Sequence, residues 1–508
     1  MSVTYRGWQP ERSGFWGSLS ITGAAEVCLA AASILIPLST QALVGELLGV
    51  PLAAALLGAA FLRIGGLTAD QWCVLAIKHQ IAVAGRRNVF FSGVFTPRDS
   101  KTQRQGADLP GVLARLRILS VPLGAGEELG VVHDPRAGTY TAVLEVRYPG
   151  LALTDEGRVE ARVAAWGAFL RGHCIEGGPI VRIAVHERSL PDDGTALRAW
   201  TEGALDPRAP LEARTVVDEL VALGGPVANS RSTYLTLTLS AARARLAIRG
   251  AGGGQLGACA VLVRELQATL PSIAAADLQV VARLAPRALA QVIKTAYDPH
   301  AAAPLAARAA LAHTHREDPA YAGLPAGIDP DLAGPSAAEA HWSHYRHDGA
   351  VSVTYQVRGW PDGNIAAGSL LALMSSREYA SRSMTMLYEP LGPRRARSEL
   401  SRARTGRDVA RRVRARTGQA ESMDERSDLV KATEQDAQRV SGHGIVRFTA
   451  LVVCTVTDEA YLETACAELQ QDGAAAGLEL SRLWGAQHAG FAAGGLPLGQ
   501  GLPDKRVI

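Results

Sequence analysis

Two stretches near the amino terminus decide how this chain is read: LSITGAAEVCLAAASILIPL, Leu19 to Leu38, and ALVGELLGVPLAAALLGAAF, Ala42 to Phe61. A helix rises about 1.5 Å per residue and bilayer hydrocarbon is about 30 Å thick, so roughly 20 apolar residues span it. Each stretch just reaches that length. Arg6 and Arg12 precede the first, Arg63, Lys78, Arg86 and Arg87 follow the second, and the connector Ser39 to Gln41 holds no basic residue. Because loops rich in Lys and Arg stay cytoplasmic, the pattern predicts a multi-pass plasma-membrane protein with both termini in the cytoplasm. Glu26 and Glu46 lie inside the stretches, where a carboxylate is expensive unless neutral or paired. Glu26 is therefore a candidate assembly contact between helices or subunits. The alternative is a helical hairpin buried in a soluble core.

At 508 residues the chain exceeds one ordinary core, so two further domains are expected after the hairpin. A net charge of only +3 argues against a generic polyanion binder. The six cysteines, at 28, 73, 174, 259, 454 and 466, never stand two residues apart as zinc or redox pairs do, and read as buried apolar side chains in a reducing compartment.

Beyond the hairpin, Thr68 to Gly85 reads as an amphipathic helix at the membrane surface, closed by Arg86 and Arg87. Leu129 to Val132 and Thr139 to Val146 flank the turn residues His133, Asp134, Pro135 and Gly138, which joins two strands. Ile180 to Val185, Thr233 to Leu239 and Leu278 to Val281 are further strands, with helices between. Ala301 to Ala340, rich in Ala, Pro and Gly, reads as a linker. Val351 to Val357 is a strand, Ile365 to Met374 a helix and Arg382 to Tyr388 a strand; Ile445 to Thr455, Glu459 to Gln471 and Leu478 to Leu483 repeat strand, helix, strand. That is the split order of a ferredoxin-like unit.

The expected fold class is therefore α+β: an amino-terminal two-helix transmembrane hairpin followed by two cytoplasmic ferredoxin-like domains. The boundaries are a cytoplasmic arm at 1–18, the hairpin at 19–62, a juxtamembrane amphipathic segment at 63–106, a first domain at 107–300, a linker at 301–340 and a second domain at 341–508. A charged helical insertion, 393–440, interrupts the last. Within it Arg394 to Arg416 holds ten arginines and Glu421 to Arg439 holds six carboxylates, so the two parts are electrostatic complements. Arg394, Arg395, Arg411, Arg412 and Arg414 join Glu26 as candidate assembly contacts. The arm lacks the interleaved aromatics that stack bases.

Chemistry is sparse. In a phosphate-binding loop Lys follows Gly and precedes Ser or Thr. Only Lys101 and Lys294 precede Thr, and Ser100 and Ile293 stand before them. The glycine run from Gly250 to Gly257 carries no lysine. His341, His344 and His347, in HWSHYRHDG, have a spacing that can bind metal, but no acidic or cysteine partner is set nearby by sequence. Together with Arg346 and Asp348, His344 and His347 suit a hydrogen-bonded structural corner better. No nucleophile elbow or zincin helix occurs. No catalytic residue, cofactor or metal is assigned.

Several blocks together resemble a known family: Tyr5, Trp8 and Arg12, the hairpin, Tyr297-Asp298-Pro299, His344 to Gly349 leading into Val351-Ser352-Val353-Thr354, and Gly485, Gln487, Phe491 and Leu496-Pro497-Leu498-Gly499. They are similar to an actinobacterial membrane-protein family of integrative conjugative elements, encoded beside type IV secretion ATPases. The terminal stretch also resembles the amino-terminal part of conjugation ATPases, without the motor. The resemblance implies a non-catalytic structural subunit of a type IV secretion or conjugative DNA-transfer apparatus that docks a separate ATPase. Its partners would be that ATPase, other membrane subunits, lipid and copies of itself. A type VII secretion membrane component, a membrane-bound enzyme using residues near His341 to Asp348, and a nucleic-acid tether through the arginine arm are the competing expectations.

Overall fold

The computed structural model describes residues 4–5, 21–40, 43–64, 67–93, 108–124, 126–150, 154–191, 201, 203–206, 208–224, 229–314, 326–361, 365–366, 368–375, 377, 379–401, 405 and 444–501. The chain divides into two compact units. One comprises Met1–Trp8, Arg87–Pro390 and Val446–Ile508; the other comprises Gln9–Arg86 and Leu391–Ile445.

The smaller unit contains the helices α1 (Ile21–Thr40), α2 (Leu43–Phe61) and α3 (Ala69–Ala84). α1 and α2 pack as a hairpin with a close crossing, where a Cβ on Gly49 would stand 2.2 Å from the Ser33 carbonyl oxygen. Ser33 Oγ donates to the carbonyls of Ala30 and Gly49 there. Among the described residues, however, no helix is long and apolar enough to cross a membrane. This overturns the transmembrane hairpin, and with it the multi-pass plasma-membrane placement and the membrane part of the expected fold. The physical reason lies in the interruptions. Glu26 divides the first helix and Glu46 the second, leaving 14 residues from Val27 to Thr40 and 15 from Leu47 to Phe61. Such runs rise only about 21–23 Å against hydrocarbon about 30 Å thick, and they still contain Ser33, Pro37, Ser39 and Pro51.

The larger unit is built on a sheet of 13 strands. In chain order these are β1 (Val89–Phe91), β2 (Arg117–Gly124), β3 (Glu127–Asp134), β4 (Thr139–Arg147), β5 (Ile180–Pro191), β6 (Asn229–Ser240), β7 (Gln279–Arg283), β8 (Ala337–Ala340), β9 (Tyr345–His347), β10 (Ala350–Gly359), β11 (Ala380–Leu391), β12 (Ile445–Val456) and β13 (Glu479–Arg482). They lie in the order β1-β8-β9-β10-β12-β11-β5-β6-β4-β3-β2, with β7 beside β4 and β13 beside β10.

That order holds a repeat. β4, β5, β6 and β7 lie side by side as β7-β4-β6-β5, and β10, β11, β12 and β13 as β13-β10-β12-β11, so each set has the spatial order 4-1-3-2 of a split βαβ arrangement. A hairpin precedes each set, β2-β3 in one and β8-β9 in the other. A helix follows each: α8 (Pro286–Tyr297) and, at the end of the chain, α11 (Gln487–Gly494). The second strands of the two sets, β5 and β11, pair antiparallel from Ile183↔Tyr388 to Ser189↔Arg382, which makes the sheet continuous.

Alternation along the strands sorts side chains to two faces. On one face, α4 (Glu156–Gly172) and α7 (Gly254–Ala275) cover the first set through Phe169, Leu262 and Leu266 against Leu144, Leu235 and Leu237. α10 (Leu462–Ala475) covers the second through Leu462, Ala465 and Leu469. On the opposite face, Leu289, Ile293 and Tyr297 of α8 meet Phe491 and Ala492 of α11 in one core cluster. That cluster also takes in Leu496 and Leu498, so the terminal segment is part of the core. The remaining helices, α5 (Leu211–Gly224), α6 (Arg245–Gly250) and α9 (Ala302–Thr314), lie in connections. Within 301–340, read as a linker, α9 is helical and β8 is a sheet strand. Ile365 to Met374, read as a helix, is instead a two-residue strand followed by turns.

Candidate functional site

The His344 to Asp348 block ends β9 and turns into β10. At the turn Asp348 has φ +40, and its carboxylate accepts from Lys294 Nζ of α8 at 2.8 Å and from the backbone N–H groups of Ser336 and Ala337. One side chain thus ties α8, the approach to β8 and the β9-β10 turn together. An equivalent turn joins β3 to β4. Asp134 accepts both oxygens' bonds from Arg115 Nε at 2.9 Å, and also accepts from the N–H groups of Arg136 and Ala137. His133-Asp134 and His347-Asp348 occupy corresponding places in the two halves.

His347 is fully buried, and its tautomer follows from its partners. The Tyr297 carbonyl can only accept, so Nδ1 donates to it; Nε2 must then accept from the Ser352 hydroxyl at 2.7 Å. The Ser352 oxygen in turn accepts from Thr455 Oγ1 at 2.7 Å. Burial pushes the His347 pKa down to about 4, against the weaker opposing pull of the Tyr297 carbonyl and Asp348. A Ser–His contact of this length resembles a nucleophile–base pair, but both side chains have zero exposure. Nothing from solution reaches them, and the proton order runs Thr455 to Ser352 to His347 to Tyr297.

His344 and His341 lie apart from this chain. Their rings stack at 4.4 Å between centroids. His344 Nε2 stands 3.9 Å from Glu459 and His341 Nε2 3.3 Å from Glu339. Burial first, then the neighbouring His341, lowers the His344 pKa. Arg346 is half exposed and pairs with Glu459. The three histidines thus do not converge, and among the described residues no group of three or more His, Cys, Asp or Glu side chains could hold a metal ion.

The candidate assembly contacts fall in the smaller unit. Glu26 is half buried on α1; burial, and secondarily Asp70, raises its pKa, and its Oε2 is enclosed without a hydrogen-bond partner among the described residues. Arg394 and Arg395 are exposed on a helix spanning 393–401, where Arg395 pairs with Glu399 one turn on. Arg411, Arg412 and Arg414 lie outside the described residues.

A second polar group, at the β5-β11 junction, escapes sequence reading. His186 Nδ1 lies 2.7 Å from Thr385 Oγ1, whose hydroxyl donates to the Gly494 carbonyl. The hydroxyl proton is committed, so Nδ1 donates to Thr385 and the ring is neutral. Burial, with Arg188 adding to it, pushes the His186 pKa down to about 3. Two buried arginines lie near this pair in the strands, Arg188 on the same face of the sheet and Arg382 on the opposite one. Arg382 reaches Asp472 Oδ2 at 2.5 Å and the Ala372 and Leu373 carbonyls. Among the described residues Arg188 reaches only the Val292 carbonyl and Thr295 Oγ1. The one available signal was the alternation Arg182, Ala184, His186, Arg188; polar residues at strand spacing ordinarily mark a solvated face.

Neither family models nor curated proteins match the chain. No relative therefore ties it to secretion or conjugation, and with no candidate span among the described residues the transmembrane attributes expected from sequence are withdrawn.

Proposed function

We propose that this chain is a non-catalytic docking subunit that braces a separate ATPase, in the type IV secretion or conjugative DNA-transfer apparatus implied by the resemblance of its His344 to Thr354 and Phe491 to Gly499 blocks. The reading no longer includes a membrane anchor. The observation that carries it is where those blocks sit. Asp348, His347 and Ser352 bond to α8 and to β12, and Phe491 to Gly499 packs into the core shared by both halves. The residues that carry the resemblance are spent on holding a broad sheet rigid. A rigid platform suits a docking role, because a surface fixed before binding loses little freedom on association.

The test is co-purification of the ATPase encoded beside this gene with the full chain and with a variant lacking 394–439. Recovery with the full chain and its loss on deletion are expected. Unchanged recovery would remove the arm from the interface, and ATP hydrolysis by the purified chain alone would overturn the non-catalytic reading.

A further inference from the structure

The geometry points to an oxyanion site at the β5-β11 junction, in which Arg188 holds one carboxylate or phosphate group. A cavity of about 20 Å³ opens there on the face covered by α8 and α11, lined by Arg188, Thr295, Ser381, Arg382, Ser383 and Thr455 among others. Ligand pockets for whole metabolites run from about 300 to 1,000 Å³, so this one takes at most a small anion or a single side-chain group and excludes a nucleotide.

The argument rests on a contrast between two arginines. Arg382 and Arg188 both sit at the paired strands β11 and β5, with 1% and 9% of their surface exposed. Arg382 has a carboxylate, Asp472, in contact. Arg188 has none among the described residues: one nitrogen, Nη1, is satisfied by neutral oxygens of α8, and Nε is enclosed with no acceptor. A buried charge without a counter-charge costs several kcal/mol, and the next side chain along the same face of β5 offers no relief, since His186 is neutral. An anion in the cavity would supply the missing charge and an acceptor for the guanidinium, which is shaped to grip planar carboxylates and phosphates.

The cavity walls fit such a guest. Thr455 donates inward to Ser352, which leaves its oxygen as an acceptor for a protonated phosphate. The Ser381 hydroxyl, held among the described residues only by a 3.4 Å contact to the Thr455 carbonyl, can turn and donate. The site needs no ATPase contact, so it stands or falls separately from the docking role.

The experiment is a titration of the full chain with sodium phosphate and with sodium acetate at constant ionic strength, chloride balancing, read by melting temperature and calorimetry. A saturable rise of about 1–2 °C is expected near saturation. A response to phosphate alone assigns a phosphate group, and one to acetate a carboxylate such as a partner's Asp, Glu or chain end. R188M should lose the response, with affinity down about tenfold or more, while melting in chloride no lower than the unmodified chain, because it removes an uncompensated charge. S381L, which keeps Arg188 but fills the cavity, should lose the response as well. No saturable response to either anion, a response that survives in S381L, or a lower melting temperature or failed folding for R188M in chloride would each overturn the site.

Discussion

At neutral pH the rings of His347 and His186 carry no charge, and the hydrogen bonds around both depend on that state. Their pKa values, about 4 and about 3, lie below the ordinary value of 6.5 because burial penalises the imidazolium. As pH falls below 6.5 the unfolded chain takes up protons at these positions and the native chain does not. Stability is therefore full above pH 6.5 and declines as pH drops toward 4, by up to a few kcal/mol for each ring. Urea unfolding of the full chain at pH 7.0 and 4.5 should show this loss. His347→Gln should be less stable at pH 7.0 yet lose less between the two pH values; an unchanged pH slope would mean that His347 already titrates normally. Asp348 illustrates what sequence could reveal at this level. It belongs to the His344 to Asp348 segment, expected from sequence as a hydrogen-bonded structural corner that runs into a strand. Its lysine partner does not follow from sequence, because Lys294 comes from a helix 54 residues earlier.

Among the elements, the terminal segment after α11 is tightly fitted at Gly499. Gly499 has φ +66, and a Cβ there would stand 2.5 Å from Thr238 Oγ1 and 2.7 Å from Thr141 Oγ1. Its carbonyl accepts from Arg182 Nη1. Left-handed backbone strain and forced overlap each cost about 1–3 kcal/mol outside glycine. Gly499→Ala should therefore lower unfolding free energy by about 2–4 kcal/mol in chemical denaturation, and a change under 1 kcal/mol would show that the segment is loosely held. The helix expected at Ile365 to Met374 does not form: Ile365 and Ala366 pair as strand with Tyr5 and Thr4, and the N–H groups of Leu371 and Ser375 bond three residues back, to Gly368 and Ala372, as turns do. Strand β5, read as ending at Val185, runs on to Pro191, where α8 and the cavity cover Arg188.

For the larger unit, the decisive contact is β5 against β11. It turns two sets of strands with equal topology into one sheet, and the α8-α11 core spans both. Expressed alone, residues 108–301 would present an open β5 edge and an uncovered apolar α8 face, both of which favour aggregation. Size-exclusion chromatography should find this fragment aggregated when alone and recovered as a one-to-one complex when co-expressed with residues 326–501. A monomeric, cooperatively folding first half would refute that dependence.

Local pattern alone identified the α+β mix, the turn after His133, the strands β4, β10 and β12 nearly to their ends, and two helices at the amino terminus. Each of these depends on neighbours in sequence, through periodicity, turn residues and β-propensity. Those two helices do not reach the length of a bilayer span among the described residues, since Glu26 and Glu46 interrupt their apolar runs. The pairing of β5 with β11, the shared core under α8 and α11, and the burial of Arg188 beside Arg382 with a carboxylate for only one of them were decided by tertiary structure. Strand partners and counter-ions are chosen by groups tens to hundreds of residues apart, and no local spacing encodes which distant edge or charge will close against which.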